Sequence, residues 1–151
     1  MNAELERAYD QDPYPGYAFW FTHPDHLGMM GRLFGLGPAH TDVCRVLEIG
    51  CAIGGNLLPM AASTPGSHFV GVDLSGVQIA LAREAAAAAN ITNITFVHGD
   101  FRDVPEALGP FDYIICHGVF SWVTPETQRA ILRFIRERLT PLGVGYVSYN
   151  T

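Results

Sequence analysis

The sequence predicts an α/β fold in which a mainly parallel β-sheet is covered by helices on both faces. From residue 43 onward, apolar segments with the length of strands alternate with helix-compatible segments, a pattern typical of βαβ units. The segment "VLEI" is apolar apart from one acid, as expected of a parallel strand buried on both faces. Directly after it, "GCAIGGN" supplies a glycine-rich turn that leads into a helix, an architecture that brings backbone close to a nucleotide.

Hydrophobic periodicity and turn residues place the elements along the chain. Strands are expected at about 43–49, 67–73, 93–100, 111–118 and 144–150. Helices are expected at about 22–36, 55–63, 75–90 and 124–139. Three hydroxyl residues precede helical segments and are expected to cap them, namely Thr22, Ser75 and Thr124. The expected strand order is 3-2-1-4-5, which leaves strand five at an edge.

The N-terminal segment "DQDPYPGYAFWF" (10–21) has two prolines, one glycine and five aromatic residues without a regular period. We interpret it as an ordered strap that either packs on the sheet or covers a ligand site. At 151 residues the chain suits one domain. This domain comprises the strap and first helix (1–40) and an α/β core (41–151).

Composition excludes several classes of function. The net charge is −6 and all nine cationic side chains are arginine, so neither a nucleic-acid partner nor lysine-based covalent catalysis is expected. Three cysteines lack metal-ligand spacing. The first residues lack the features of a signal peptide, and no apolar run approaches the ~20 residues of a membrane-spanning helix. We therefore expect a cytoplasmic protein without a metal ion or a membrane partner.

Polar residues lie at the carboxyl ends of the first four predicted strands, namely Glu48, Asp73, Asp100 and His117. In a parallel sheet the carboxyl ends of the strands meet at one edge, where ligands bind. Asp73 stands 23 residues after Gly50, about the spacing at which an acid reaches a ribose. This spacing suits both NAD and S-adenosylmethionine. Glu48 would repel a pyrophosphate, and Ala52 interrupts the GxGxxG pattern. Because S-adenosylmethionine carries a sulfonium and an ammonium but no phosphate, it is the expected cofactor.

Glu48 is then expected to supply negative charge and to hydrogen-bond amides of the turn, although pairing with an arginine is the alternative.

The motifs "LEIGCAIGG", "VGVDLS", "HGD" and "FDYIICHGVFSW" together resemble class I (Rossmann-like) S-adenosylmethionine-dependent methyltransferases. The segments "YPGYAFWFTHPDHLG", "HGVFSWV" and "GVGYVSYNT" are similar, more narrowly, to bacterial methyltransferases that also carry a methyltransferase regulatory domain.

The resemblance implies which residues form the site. Glu48, Gly50 and Gly54 would shape the methionine site, Asp73 would bind the ribose, and Asp100 with Phe101 would face adenine. The full set of expected cofactor-binding residues is Glu48, Gly50, Cys51, Ala52, Gly54, Asn56, Asp73, Leu74, Gly99, Asp100, Phe101, His117 and Gly118. His117 or Tyr17 is the candidate general base.

Each of these residues also has a structural alternative. The glycine turn could serve packing alone, Asp73 could only stabilise a helix N-terminus, "HGD" could be an ordinary turn, and His117 could be a half-buried histidine satisfied by backbone. Cys51 lacks an activating histidine and acid nearby and is interpreted as a packing residue.

The chain departs from the family in one large respect, because the family's sheet has seven strands and the predicted elements end at strand five. We expect either a C-terminally truncated form or an edge completed by self-association or another polypeptide. A non-catalytic cofactor-binding or partner-binding remnant is therefore the main alternative to an enzyme, and an NAD-dependent oxidoreductase is less favoured. The methyl acceptor is expected to be either a protein side chain or a small molecule, and both alternatives stay open. The absence of an Asn/Asp-Pro-Pro-aromatic sequence after strand four argues against methylation of amide or adenine nitrogens.

Overall fold

A computed structural model describes residues 16–150, which form a five-stranded parallel sheet flanked by helices. The strand order is 3-2-1-4-5, so the predicted Rossmann-like α/β fold is confirmed. In chain order the elements are α1 (Pro24–Leu33), β1 (Arg45–Ile49), α2 (Leu57–Ser63), β2 (His68–Asp73), α3 (Gly76–Ala88), β3 (Ile94–His98), β4 (Phe111–Cys116), α4 (Pro125–Arg138) and β5 (Leu139–Val147). Tyr14 of the predicted strap lies outside the described residues.

Alternate side chains of the strands pack against two different helical layers. On β1, Val46 joins a buried cluster with residues of α1, α2 and α3, such as Leu57 and Ile79. Leu47 instead joins the cluster that contains Ile131 of α4. Because both faces of the central strands are covered, the only positions where this sheet can present polar groups to a ligand are the strand ends.

Two of the three predicted helix caps are confirmed. The Ser75 hydroxyl accepts a hydrogen bond from the amide of Gln78 at 3.2 Å, and the Thr124 hydroxyl accepts from the amide of Thr127 at 3.3 Å. In both helices the side-chain oxygen satisfies a first-turn amide that has no partner within the helix.

The third predicted cap, Thr22, is wrong. Helix α1 is capped by His23, whose Nδ1 accepts from the amide of Asp25 at 3.2 Å. Thr22 is fully buried and its hydroxyl contacts Asn56 instead. The helix also ends at Leu33, three residues before the predicted end at Leu36.

Strand β5 begins earlier than the predicted position 144. Leu139 follows helix α4 directly and pairs with Phe111, and a register shift separates this pair from that between Tyr113 and Val144. Pro141 therefore lies within the strand, three residues before the predicted start. It is tolerated because β5 is an edge strand of the described sheet. Self-association at this edge stays a prediction.

Helix α1 is held against the sheet by a close contact between a glycine and a buried tyrosine. The Tyr113 side chain is fully buried and its hydroxyl donates to the carbonyl of Ala39 at 2.8 Å. A Cβ at Gly28 would lie only 2.8 Å from the Tyr113 hydroxyl oxygen. The absence of a side chain at Gly28 is therefore what allows α1 to approach β4 this closely.

We expect Gly28→Ala to lower the free energy of unfolding by about 1–3 kcal/mol, because the added methyl group displaces the tyrosine hydroxyl. In a Tyr113→Phe background that oxygen is gone, and the better helix propensity of alanine, about 1 kcal/mol, makes the same change neutral or stabilising. Urea unfolding of the four proteins measures both effects. An equal loss of stability in the two backgrounds would contradict the proposed contact.

Candidate active site at the carboxyl edge of the sheet

A cavity of about 590 Å³ opens where β1, β2 and β4 end, within the range of about 300–1,000 Å³ typical of small-molecule sites. All predicted site residues except Gly54 line it. From the described part of the predicted strap, Gly16, Tyr17 and Phe19 contribute to the wall. The described part of the strap therefore forms one wall of the cavity, and its Phe21 ring also lies 6.2 Å from that of Tyr146 on β5.

The turn after β1 has the left-handed backbone that its glycines predict. Gly50 has φ +75° and Gly54 has φ +76°, and Ala52, the residue that interrupts the glycine pattern, also adopts a positive φ of 49°. A side chain in this conformation costs roughly 1–2 kcal/mol. The amides of Gly50 and Cys51 both donate to the carbonyl of Val72, at 2.9 and 3.2 Å, which fastens the turn to β2.

The individual glycines are constrained by packing, which was one of the two roles considered for the turn. A Cβ at Gly50 would lie 2.4 Å from Val119, and one at Gly54 would lie 2.8 Å from the Phe96 ring. Both positions therefore require glycine for packing whether or not a ligand is present. Gly55 lines the cavity instead of Gly54, and a Cβ there would lie 2.5 Å from the Cα of Gly16, so the strap contacts the turn backbone directly.

Glu48 is a buried acid at the end of β1, with 4% of its surface exposed. One carboxylate oxygen, Oε1, accepts from the Asn56 amide at 2.7 Å, and Oε2 has no hydrogen-bond partner within residues 16–150. The predicted hydrogen bonds to turn amides are therefore wrong, because the amides of Gly50 and Cys51 bind Val72 and that of Ala52 binds Asp73. Burial raises the pKa of Glu48 to about 7, although the hydrogen bond from Asn56 partly opposes this shift.

Asn56 links Glu48 to the strap. Its side-chain oxygen accepts from the Phe19 amide at 2.9 Å, and its side-chain nitrogen donates both to Glu48 and, at 3.0 Å, to the Thr22 hydroxyl. Thr22 in turn donates to the carbonyl of Phe19 at 2.8 Å. The cavity wall formed by the strap thus depends on the same side chain that holds the buried carboxyl.

Asp73 ends β2 and already accepts two backbone hydrogen bonds. Oδ2 accepts from the amide of Ala52 and Oδ1 from that of Ser75, both at 2.9 Å. Burial raises the pKa of this carboxyl, and these amides act against the shift. The side chain therefore both joins the β1 turn to β2 and faces the cavity, with acceptor capacity left on each oxygen.

Asp100 follows β3 and forms a bidentate pair with Arg102. Its Oδ1 lies 2.7 Å from Arg102 Nε and its Oδ2 lies 2.6 Å from Arg102 Nη2. The hydrogen bonds from Arg102 hold the pKa of Asp100 below its usual range. Asp100 also caps the short 3₁₀ turn Phe101–Asp103. The structural alternative given for "HGD", a turn that ends the strand, therefore describes one role of Asp100.

His117 lies among aromatic rings after β4. Its ring centroid is 4.2 Å from that of Phe19, 5.5 Å from that of Phe21 and 6.0 Å from that of Tyr146. Nδ1 is buried and has no hydrogen-bond partner within the described chain, so backbone does not satisfy it. Burial lowers the pKa of His117, which keeps the imidazole neutral near pH 7 and able to accept a proton.

Cys51 is a packing residue, as interpreted from the sequence. It is 3% exposed, and its sulfur would lie 2.7 Å from a Cβ at Gly71. Burial raises the pKa of the thiol well above its ordinary value, which disfavours the nucleophilic thiolate.

Among residues 16–150 there is no group of three or more metal-ligating side chains. No helix in this part of the chain has the length and apolar character needed to cross a membrane.

Several residues of the cavity wall were not named as site residues from the sequence, although two of them, Gly16 and Phe19, belong to the strap considered as a cover. The full list is Gly16, Phe19, Ile49, Gly55, Val72, Gln78, Arg102, Val119, Trp122, Val123, Thr124, Thr127 and Ile131. Most come from the strap or from the segment after β4, whose path over the cavity has no local sequence signal. Gln78 had a local sequence signal, because it stands three residues after Ser75, at the position that completes a capping box at the start of α3.

Comparison with known proteins identifies the family. A family model described as a methyltransferase domain matches residues 46–143. The chain belongs to this methyltransferase domain family. The methyltransferase domain is 42% identical over 144 residues to "Uncharacterized protein RP028" of Rickettsia prowazekii (strain Madrid E), covering 95% of this chain and 58% of that protein.

Solved structures agree with this assignment. PKMT2 from Rickettsia typhi in complex with AdoHcy is 45% identical and superposes with a TM-score of 0.87, covering 92% of this chain and 27% of that chain. Coclaurine N-methyltransferase bound to N-methylheliamine and SAH is 19% identical with a TM-score of 0.66, over 97% of this chain and 44% of that chain. The second likeness concerns the fold alone. The methyltransferase domain thus spans about a quarter to three fifths of the length of these relatives.

We expect Asn56→Ala to lower the free energy of unfolding by about 2–3 kcal/mol, because Glu48 and the Phe19 amide each lose a buried partner. Asn56→Asp keeps the shape and the acceptor for Phe19 but places a second carboxyl beside Glu48. Its destabilisation should therefore be larger at pH 8, where Glu48 is ionised, than at pH 5. Urea unfolding at the two pH values measures both variants. Stability equal to that of the wild type in both would exclude Asn56 as the link between strap and sheet.

Proposed function

We propose that this methyltransferase domain binds S-adenosylmethionine and transfers its methyl group to an acceptor. The observation that carries the proposal is the buried carboxyl of Glu48, whose Oε2 lacks a partner in the described chain at the glycine turn. A carboxylate in this position favours a cationic ligand and repels a pyrophosphate. The same observation disfavours a nicotinamide dinucleotide.

The other polar residues of the cavity fit the rest of this cofactor. The turn and Glu48 would hold the methionine portion, Asp73 would accept hydrogen bonds from the ribose, and Asp100 with Phe101 would contact adenine. Bound there, the cofactor supplies a methyl group already activated by its sulfonium. The complex of Rickettsia typhi PKMT2 with AdoHcy supports a cofactor of this class.

The chain's own contribution to transfer is mainly alignment, which can lower a barrier by about 7–11 kcal/mol. A protonated acceptor also needs a base. His117 is the better placed candidate because its buried Nδ1 lacks a partner within residues 16–150 and its lowered pKa leaves it neutral. Tyr17 lines the same cavity but is 60% exposed.

The wider identity of the protein is also part of this proposal. We place it with bacterial cytoplasmic methyltransferases that carry a regulatory domain as well, on the strength of the sequence motifs. The described α/β core with its N-terminal strap would act as one cofactor-binding domain. Its acceptor would be a protein side chain or a small molecule rather than nucleic acid, in keeping with the absence of lysine and the net charge of −6.

The first test of this function is binding of S-adenosylhomocysteine, measured by calorimetry on the whole chain, followed by transfer of radiolabelled methyl groups to a cell extract. We expect Asp73→Ala to weaken binding by about 1.5–3 kcal/mol, the range for hydrogen bonds to a charged group. Because this change also removes the acceptor of two backbone amides, Asp73→Asn is the companion variant. Asp42→Asn, in an exposed loop with the side chain 77% accessible, is the matched control.

Unchanged affinity in both Asp73 variants, with the fold intact by circular dichroism, would remove Asp73 from the site. Binding of NAD in place of S-adenosylhomocysteine would overturn the proposed cofactor. Binding without any methyl transfer to the extract would favour the non-catalytic alternative.

A second test uses the raised pKa of Glu48. Below pH 7 this carboxyl is largely protonated in the free protein, whereas the ammonium of the ligand favours the ionised form, so binding lowers the pKa. Affinity for S-adenosylhomocysteine should therefore rise with pH, by at most about tenfold per unit, and level off above pH 7. Glu48→Gln should remove this dependence. A wild-type profile parallel to that of the variant would separate Glu48 from the ligand's charge.

A further inference from the structure

The residue opposite His117 on the neighbouring strand binds both residues that flank this histidine. The register that pairs Cys116 with Val147 puts Ser148, just after the end of β5, opposite His117. The Ser148 amide donates to the Cys116 carbonyl at 3.0 Å, and the Ser148 hydroxyl oxygen accepts from the Gly118 amide at 2.9 Å. One serine therefore fixes the backbone on either side of the candidate base.

The second of these hydrogen bonds takes the place of a regular sheet contact. In a parallel ladder, a residue bonds through its amide and its carbonyl to the two neighbours of the residue opposite. Here the amide of Ser148 follows this rule, whereas its hydroxyl replaces its carbonyl as the acceptor for Gly118. Gly118 has φ +71°, so the chain turns away from the sheet at this point. The serine side chain thus sets the direction in which the chain leaves β4.

Two further contacts hold the segment 117–123, which we call the β4 loop. The Asn150 amide donates to the Ser121 hydroxyl at 2.7 Å, and the Gln128 side-chain nitrogen donates from α4 to the Phe120 carbonyl at 2.8 Å. The residues that the β4 loop supplies to the cavity wall are His117, Gly118, Val119, Trp122 and Val123. Ser148 and Asn150 therefore hold a wall of the cavity, although neither of them lines it.

The direction of the His117 ring depends on this backbone. Its buried Nδ1 has no hydrogen-bond partner within residues 16–150, and its ring packs against those of Phe19 and Phe21. Apart from this ring packing, the fixed backbone beside Ser148 is what aims the imidazole. The hydrogen bond from Gly118 to Ser148 is exposed, so water can replace it and its loss should affect geometry more than stability.

We propose that Ser148 is a positioning residue, which holds His117 and the β4 loop in the arrangement needed for methyl transfer. The proposal rests on the proposed function, because transfer is the reaction that this arrangement serves. Alignment is the main contribution expected of the protein, and a misplacement of about 1 Å is enough to slow such a reaction strongly. Loss of the Ser148 hydroxyl therefore slows transfer more than it weakens cofactor binding.

The test compares binding with transfer in wild type and Ser148→Ala. Calorimetry gives the affinity for S-adenosylhomocysteine, and transfer of radiolabelled methyl groups to a cell extract at saturating S-adenosylmethionine gives the rate. We expect Ser148→Ala to transfer about tenfold more slowly, the equivalent of one hydrogen bond, with an affinity within about twofold of wild type. Ser148→Thr keeps the hydroxyl and should restore the rate.

Ser63→Ala is the matched control for removal of a serine hydroxyl. Ser63 ends α2, its hydroxyl donates to the Met60 carbonyl at 3.0 Å, and it does not line the cavity. This variant should bind and transfer like the wild type.

Trp122 gives an independent readout of the β4 loop, because the chain has only two tryptophans. In a Trp20→Phe background the remaining tryptophan is Trp122, which lies on the loop itself. We expect Ser148→Ala to lower the fluorescence anisotropy of Trp122, since a loop released from one tether moves more freely on the nanosecond timescale. Ser63→Ala should leave the anisotropy unchanged.

Several results would overturn the proposal. Equal transfer rates in wild type and Ser148→Ala, or unchanged anisotropy of Trp122, would show that Ser148 does not position the loop. Equal losses of rate and affinity, or no recovery in Ser148→Thr, would indicate a general disturbance of the fold instead. If Ser148→Ala fails to fold, Ser121→Ala, which removes the tether to Asn150, takes its place in each measurement.

Failure of the proposed function would look different. A wild type that transfers no methyl groups would refute that function, and the anisotropy of Trp122 would still decide whether Ser148 holds the β4 loop.

Discussion

The hydrogen bond between Glu48 and Asn56, at 2.7 Å, is the interaction on which the site depends. It places a carboxyl in the apolar second half of β1, residues 46–49, where only 4% of the Glu48 surface is exposed. The same asparagine holds Phe19 and Thr22, so one side chain fixes the acid, the start of α2 and the strap together. Since a buried carboxyl without such a donor is costly, the strap and the acid stabilise each other's position.

The site uses its polar groups for structure and for ligand at once. Asp73 joins the β1 turn to β2 through two backbone amides while facing the cavity. Asp100 caps a short turn and pairs with Arg102 beside the same cavity. Preorganised acceptors of this kind need little rearrangement when a ligand arrives. The consequence is that substitutions at these acids alter folding and binding together, and isosteric changes separate the two better than alanine does.

Sequence patterns predicted the frame of this site well because they depend on short-range physics. The glycine turn, the acids at the ends of β1, β2 and β3, and the caps at Ser75 and Thr124 each follow from the residues within a few positions of them. The errors occurred where a distant partner competed with the local one. Thr22 was predicted to cap α1, but burial next to Asn56 takes its hydroxyl, and His23 caps the helix instead.

By itself, then, the amino-acid sequence determined the parallel α/β fold, the strand order and the acids gathered at one edge, since the period of the apolar residues and the turn chemistry are local properties. Only the tertiary structure decided what each acid contacts and why each glycine is needed. Glu48 binds Asn56 rather than turn amides, Gly54 faces the Phe96 ring rather than the cavity, and β5 reaches back to Leu139 through its pairing with Phe111. These outcomes depend on contacts between residues far apart in the chain, which no local pattern encodes.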